Sequence, residues 1–103
     1  MKMEVKFTEH QIEMMQIALE KWGLHAQVGQ AIEECAELIV ALQKHTNRSM
    51  QGDTVEKILD EIADVEMMLA QIRLAFDIDD KTLCERIKAK FDRLCRYLAE
   101  DTV

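Results

Sequence analysis

No proline occurs anywhere in the 103 residues, and glycine stands only at Gly23, Gly29 and Gly52. Proline and glycine are the strongest local breakers of regular structure, so a chain this poor in them has few places to turn. Its segments favour long helices. About half of the chain is hydrophobic (49%) and a third charged (32%), which suits amphipathic helices that bury one face. The breaks that do exist divide the chain into four. Thr8-Glu9-His10-Gln11 has capping-box spacing and opens a helix to about Trp22, where Gly23 ends it. A second helix runs from about Leu24 to His45. Residues 46–53, with Asn47, Ser49 and Gly52, read as a loop. Asp53-Thr54-Val55-Glu56 has capping-box spacing again and opens a third helix to about Phe76. Asp77-Ile78-Asp79-Asp80 is an acidic connection, and Asp80 or Thr82 caps a fourth helix to about Ala99. Residues 1–7 read as a loose lead and 100–103 as a frayed end.

The expected fold is all-α: one domain over residues 1–103, an antiparallel four-helix bundle-like arrangement completed by dimerisation. A bundle of this length has a thin core. The third helix carries Leu59 and Met67 outside its main stripe, and such surplus marks a partner surface. The first helix has the stripe Ile12, Met15, Leu19 and Trp22. The second has Val28, Ile32, Cys35, Ile39 and Leu42; the third has Ile58, Ile62, Val65, Leu69, Ile72 and Phe76. Those two stripes are expected to form the packed seam. The seven methionines read as gap-fillers in a helical core.

Two acidic pairs border the expected seam. Glu34 and Glu37 lie three residues apart, as do Glu61 and Asp64, so each pair shares one helix face. The first pair stands about ten residues before the loop and the second about ten after it, roughly 15 Å along each axis. Folding the helices back on each other brings four carboxylates to one height. Like charges so close need a counter-charge. An all-oxygen ligand set selects Mg²⁺, or Mn²⁺, over zinc and copper. Exposed helix acids paired with Lys44 or Lys57 would show the same spacing, and either pair alone would read that way.

Other chemistries fit less well. The net charge of −7 argues against a nucleic-acid polymer, which requires a basic footprint. There is no glycine-rich phosphate loop, no Glu-x-x-His of a di-iron bundle, and no shared motif among His10, His25 and His45. The three cysteines lack C-x-x-C spacing, and the amino terminus has no apolar leader, so a reduced, cytoplasmic protein with no membrane span is expected. On the fourth helix Arg86, Lys90, Arg93 and Tyr97 border an apolar face of Leu83, Ile87, Leu94 and Leu98. Beside a carboxylate site, such a stripe suits phosphate oxygens.

Glu34-x-x-Glu37, a loop-containing spacer and Glu61-x-x-Asp64 together resemble the signature of the MazG-like all-α nucleoside triphosphate pyrophosphohydrolases. Trp22-Gly23 and Gln27 ahead of Glu33-Glu34 resemble that family's lead-in, and Lys90-Phe91-Asp92-Arg93-Leu94 resembles its basic closing helix, so the likeness covers roughly residues 20–98. The resemblance implies a Mg²⁺-dependent house-cleaning enzyme of nucleotide metabolism. It would cleave a (d)NTP between the α and β phosphates to a monophosphate and pyrophosphate, as a homodimer or dimer of dimers. Glu34, Glu37, Glu61 and Asp64 would then hold the metal, and Glu33 would orient or deprotonate water. Lys90 and Arg93, with Arg86 beside them, would bind phosphates. Trp22 and Gln27 would approach the base, although core packing suits Trp22 better. The competing reading is a non-enzymatic acidic helical interaction or dimerisation module.

Overall fold

A computed structural model describes residues 6–47 and 52–101, with side chains over 6–47 and 54–100. The four expected helices are present: α1 (Glu9–Trp22), α2 (Leu24–Asn47), α3 (Gly52–Ala75) and α4 (Asp80–Asp101). No helix among the described residues is long and apolar enough to cross a membrane.

Local chemistry accounts for most of the boundaries. At α1 the capping box is complete: Gln11 N–H donates to Thr8 Oγ1 at 3.1 Å, and Thr8 N–H donates to Gln11 Oε1 at 2.9 Å. Gly23 has φ 88°, which only glycine adopts at little cost. Its N–H donates to Leu19 O and its carbonyl accepts from Gln27 N–H, so one residue closes α1 and opens α2. The α3 exit is a Schellman turn. Ile78 N–H donates to Arg73 O, and Asp77 N–H to Leu74 O, with Asp77 left-handed at φ 56°. The cap of α4 is Asp79, not Asp80 or Thr82: its carboxylate accepts the Thr82 N–H at 2.7 Å. That bond holds the Asp79 pKa below the usual carboxylate range. α2 and α3 both run further into the expected loop than their stripes indicate. Ser49 lies outside the described residues; α3 begins at Gly52, so Asp53 stands inside the helix and is not its cap as expected, and α4 continues through Asp101 where fraying is expected.

α2 and α3 form an antiparallel hairpin, and α1 lies across one of its faces. The hairpin's faces differ from the expected ones. Its seam is made by Gln27, Ala31, Glu34, Leu38 and Ala41 on α2, against Ile58, Glu61, Val65, Met68 and Gln71 on α3. The α2 stripe read as core is outside: Ile32 is 65% exposed and Ile39 56%. Ile62, Leu69 and Phe76 of α3 are exposed as well. At 100° per residue these side chains all fall on the same side of the hairpin, opposite α1. Periodicity identified both stripes but not their neighbours, and the close approach of the two helices takes smaller and polar residues.

The bundle is also incomplete within one chain. Among the described residues α4 packs against none of α1–α3, and its apolar residues Ile87, Phe91, Leu94 and Leu98 are exposed. Buried apolar residues among those described are Met15, Ala41, Met68 and Ala70, a thin core. Met15 anchors α1, and its burial is worth roughly 1.5–3 kcal/mol. The expectation of four helices in an all-α fold holds; the closed four-helix packing does not form within a single copy.

Candidate functional site

The hairpin register assembles the acids. It sets His45 Nδ1 3.2 Å from Thr54 Oγ1 near the loop, and Gln27 Nε2 2.6 Å from Gln71 Oε1 at the far end. Between those pairs, Glu34, Glu61 and Asp64 come together, each offering an oxygen within 4.8 Å of the others. Glu37 stands one turn on. Its pKa is raised, first by the charge of Glu34, then by desolvation, then by Glu61 beside it and Glu33. Of the four acids expected to converge, three group together, Glu37 stands beside them, and Glu61 lies deeper than expected. Glu61 sits in the seam at 2% exposure, not along its border.

The partners of these acids are incomplete. Glu61 Oε1 accepts from Lys57 Nζ at 2.7 Å, and that contact raises the lysine pKa. Glu34 Oε1 accepts from Gln30 Nε2 at 2.8 Å. The second oxygens, Glu34 Oε2 and Glu61 Oε2, are buried and accept nothing. A buried acceptor left unmade costs about 1–3 kcal/mol, more when charged. Two such oxygens stand in one cluster of three carboxylates. The donor set is all carboxylate, and the spacing is on the scale of a Mg²⁺ sphere with ligands at about 2.1 Å. The residues present thus fit a hard divalent ion.

Two cavities flank the cluster on the α1 side of the hairpin. One, of about 360 Å³, is lined by Glu33, Glu37, Glu61, Lys44 and Lys57 with Val40. The other, of about 740 Å³, lies between α1 and the hairpin, walled by Met14, Met15, Met67 and Met68. The buried Gln27–Gln71 amide pair lines it. Gln30 lines the larger cavity and also holds Glu34, so the cavity adjoins the acids. Trp22 is not in the core: it is 60% exposed at this cavity's rim, with Lys21 Nζ 5.8 Å from its ring centroid.

The structure does not bring every expected residue to the site. Arg86, Lys90 and Arg93 lie on α4, which among the described residues packs against neither the hairpin nor α1 of the same chain beyond the Arg73–Asp80 contact at its first residue. Their helix was correctly placed in sequence but leaves the site at the Asp77–Asp79 turn. Conversely, Gln71, Gln30 and Lys57 were not expected as site residues. Gln71 was detectable, since the register that pairs the acids also pairs it with Gln27.

Glu37 gives a clean electrostatic test. Its raised pKa means that ionising it works against the fold. That penalty is absent at pH below the usual carboxylate range and is fully felt above the raised value, so it is present at neutral pH. In EDTA at pH 7, Glu37→Gln is expected to melt at or above the wild-type temperature, with the difference closing as pH falls through the carboxylate range. With Mg²⁺ at about 100 times Kd, wild type should gain about 2.7 kcal/mol and overtake the variant. Paired melting curves decide it, and a variant clearly less stable in EDTA would contradict the repulsive site.

Comparison with family models, with curated proteins and with solved structures gives no match to this chain.

Proposed function

We propose that this chain is a Mg²⁺-dependent nucleoside triphosphate pyrophosphohydrolase, cleaving a (d)NTP between its α and β phosphates. The observation that carries the reading is the pair of buried, unpartnered carboxylate oxygens on Glu34 and Glu61, grouped with Asp64. A module serving only as an interaction surface has no use for buried unpaired charge, which weakens its fold. The resemblance of Glu34-x-x-Glu37 and Glu61-x-x-Asp64 to the MazG-like signature supplies the reaction class.

Glu34, Glu61 and Asp64, with Glu37, hold the ion. When bound it neutralises phosphate charge and makes the α-phosphorus more electrophilic. The base enters the 740 Å³ cavity, against methionine walls that are polarisable and adaptable. The Gln27–Gln71 amides offer it hydrogen-bond partners there, and Trp22 covers the rim. The phosphates extend past Gln30 toward the acids. Glu33, exposed on the wall of the smaller cavity, orients the attacking water and takes its proton. The α–β bridging bond breaks, and pyrophosphate leaves toward Lys44 and Lys57.

The working form is a homodimer or dimer of dimers. The exposed apolar side of the hairpin supports this, because a large unpartnered apolar face on a thin core calls for a partner.

The test is a screen of standard and modified (d)NTPs with Mg²⁺, followed by chromatography. The expected products are monophosphate and pyrophosphate with no diphosphate intermediate. Orthophosphate release with accumulating diphosphate would refute the reaction, and no turnover of any substrate would favour the interaction module.

A further inference from the structure

α4 is the most sharply amphipathic of the four helices, and among the described residues it packs against none of the others. At 100° per residue Leu83, Leu94, Ile87, Leu98 and Phe91 follow one another round a single arc. Ile87, Phe91, Leu94 and Leu98 are each at least half exposed. Cys84 and Cys95, both exposed, extend the arc on one side.

Cations line both borders of that arc. Lys90, Arg86 and Arg93 stand on one side with Tyr97 among them, and Lys88 and Lys81 on the other. Glu85 and Asp92 lie beyond the lysines, on the polar back with Arg96. From Lys81 to Leu98 six cations stand against those two acids, a net charge of +4 in a chain whose total is −7. Everything outside this stretch therefore carries −11. The chain's positive charge is gathered on one helix, at the edges of its apolar face.

That pattern specifies what can cover the face. Lys and Arg beside an apolar surface lay their methylene stems along it and keep their charged heads in the polar layer above. The acceptor must be apolar at its centre and negative along both edges for roughly 27 Å, the length of eighteen helical residues. A protein groove meets this only with acids along the whole of both walls. An anionic bilayer meets it everywhere, with acyl chains beneath the helix and phosphates on either side. α4 is not apolar enough to cross a membrane, so it can only lie in the surface plane.

We propose that α4 is an in-plane anchor that docks the protein on an anionic phospholipid surface. Its apolar arc enters the boundary between headgroups and acyl chains. Lys81 and Lys88 meet lipid phosphates on one side, and Arg86, Lys90 and Arg93 on the other. The −11 of the remainder opposes this only weakly. α4 packs on none of the other helices, and charges more than about 8 Å apart are largely screened at physiological ionic strength. The docking is independent of the hydrolase reading.

The experiment floats the full chain with vesicles of phosphatidylcholine alone and of an equal mixture with phosphatidylglycerol. The chain should float with the mixed vesicles, not with the neutral ones, and should be released at high salt. A cation at an anionic surface is worth roughly fivefold in affinity, so Lys81→Ala/Lys88→Ala should bind about 30-fold more weakly. Phe91→Ser/Leu94→Ser should lose at least about 100-fold, because two apolar side chains no longer leave water. A second readout needs only wild type: alkylation by iodoacetamide, mapped by mass spectrometry. Mixed vesicles should slow the reaction of Cys84 and Cys95 several-fold and leave that of Cys35, on α2, unchanged. Failure to float with mixed vesicles would overturn the docking, as would equal flotation with neutral ones. Slowing of all three cysteines alike would place the contact on another face and refute α4 as the anchor. Cys84 and Cys95 that are protected without vesicles, and exposed by dilution, would show a second copy covering the face and would equally overturn it.

Discussion

Replacing Glu61 with glutamine should lower pyrophosphate release at least about 100-fold, the scale on which even outer-shell partners of a catalytic metal act. Glu61 is the most buried of the acids, with one oxygen on Lys57 and the other unpartnered beside Glu34 and Asp64. The substitution keeps shape and removes charge, so the stability change should be small. It loses the Lys57 pair, but that lysine side chain is 64% exposed and readily rehydrated, so the loss is within about 1 kcal/mol. It also relieves repulsion from Glu34 and Asp64. Lys57→Met separates the two contributions: it breaks the same ion pair and leaves the carboxylate, and should cost less than about tenfold in turnover. Glu61→Gln retaining more than a tenth of wild-type activity would remove Glu61 from the site. A Lys57→Met loss as deep as that of Glu61→Gln would identify the pair as structural.

A comparable effect is expected at the opposite face. Wild type should sediment at about 24 kDa or more at micromolar concentration, twice or more the 12.0 kDa chain. Ile39→Glu combined with Leu69→Glu should leave a 12.0 kDa species, with Kd for association raised at least about 1,000-fold. Both residues are about half exposed in the single chain, so the monomer's own packing is little affected. In the assembled form each glutamate would be an unpaired charge inside an apolar contact, and two-fold symmetry repeats the penalty. Circular dichroism should show the helices retained. A wild type found only as monomer would exclude the dimer.

The acids belong to the part of the protein that sequence reveals well. Carboxylates spaced three apart define a face whatever surrounds them, and their near-equal distances from one loop define their register. Glu34, Glu61 and Asp64 accordingly meet. The helix ends are similarly local. Thr8 with Gln11, and Gly23 with its positive φ, act within four residues of themselves, and no distant contact is needed to place them.

The tertiary structure decided which face of each helix is the inside. Amphipathic periodicity specifies that a stripe wants a neighbour, not whether that neighbour belongs to the same chain. The stripe of Ile32, Ile39 and Leu42 and the stripe of α4 both look like core on a helical wheel, and both stand at the surface of one copy. The seam went to Gln27, Ala41, Glu61 and Gln71, a choice visible only when two helices are set in contact. The position of Arg86, Lys90 and Arg93 followed from the direction of one short turn, which swings a whole helix away from the site. Sequence therefore determined the helices, their breaks and the register of the acids, because these depend on residues a few positions apart. The buried faces, the depth of Glu61 and the separation of the basic helix depend on contacts between residues far apart in the chain, and only the assembled hairpin could settle them.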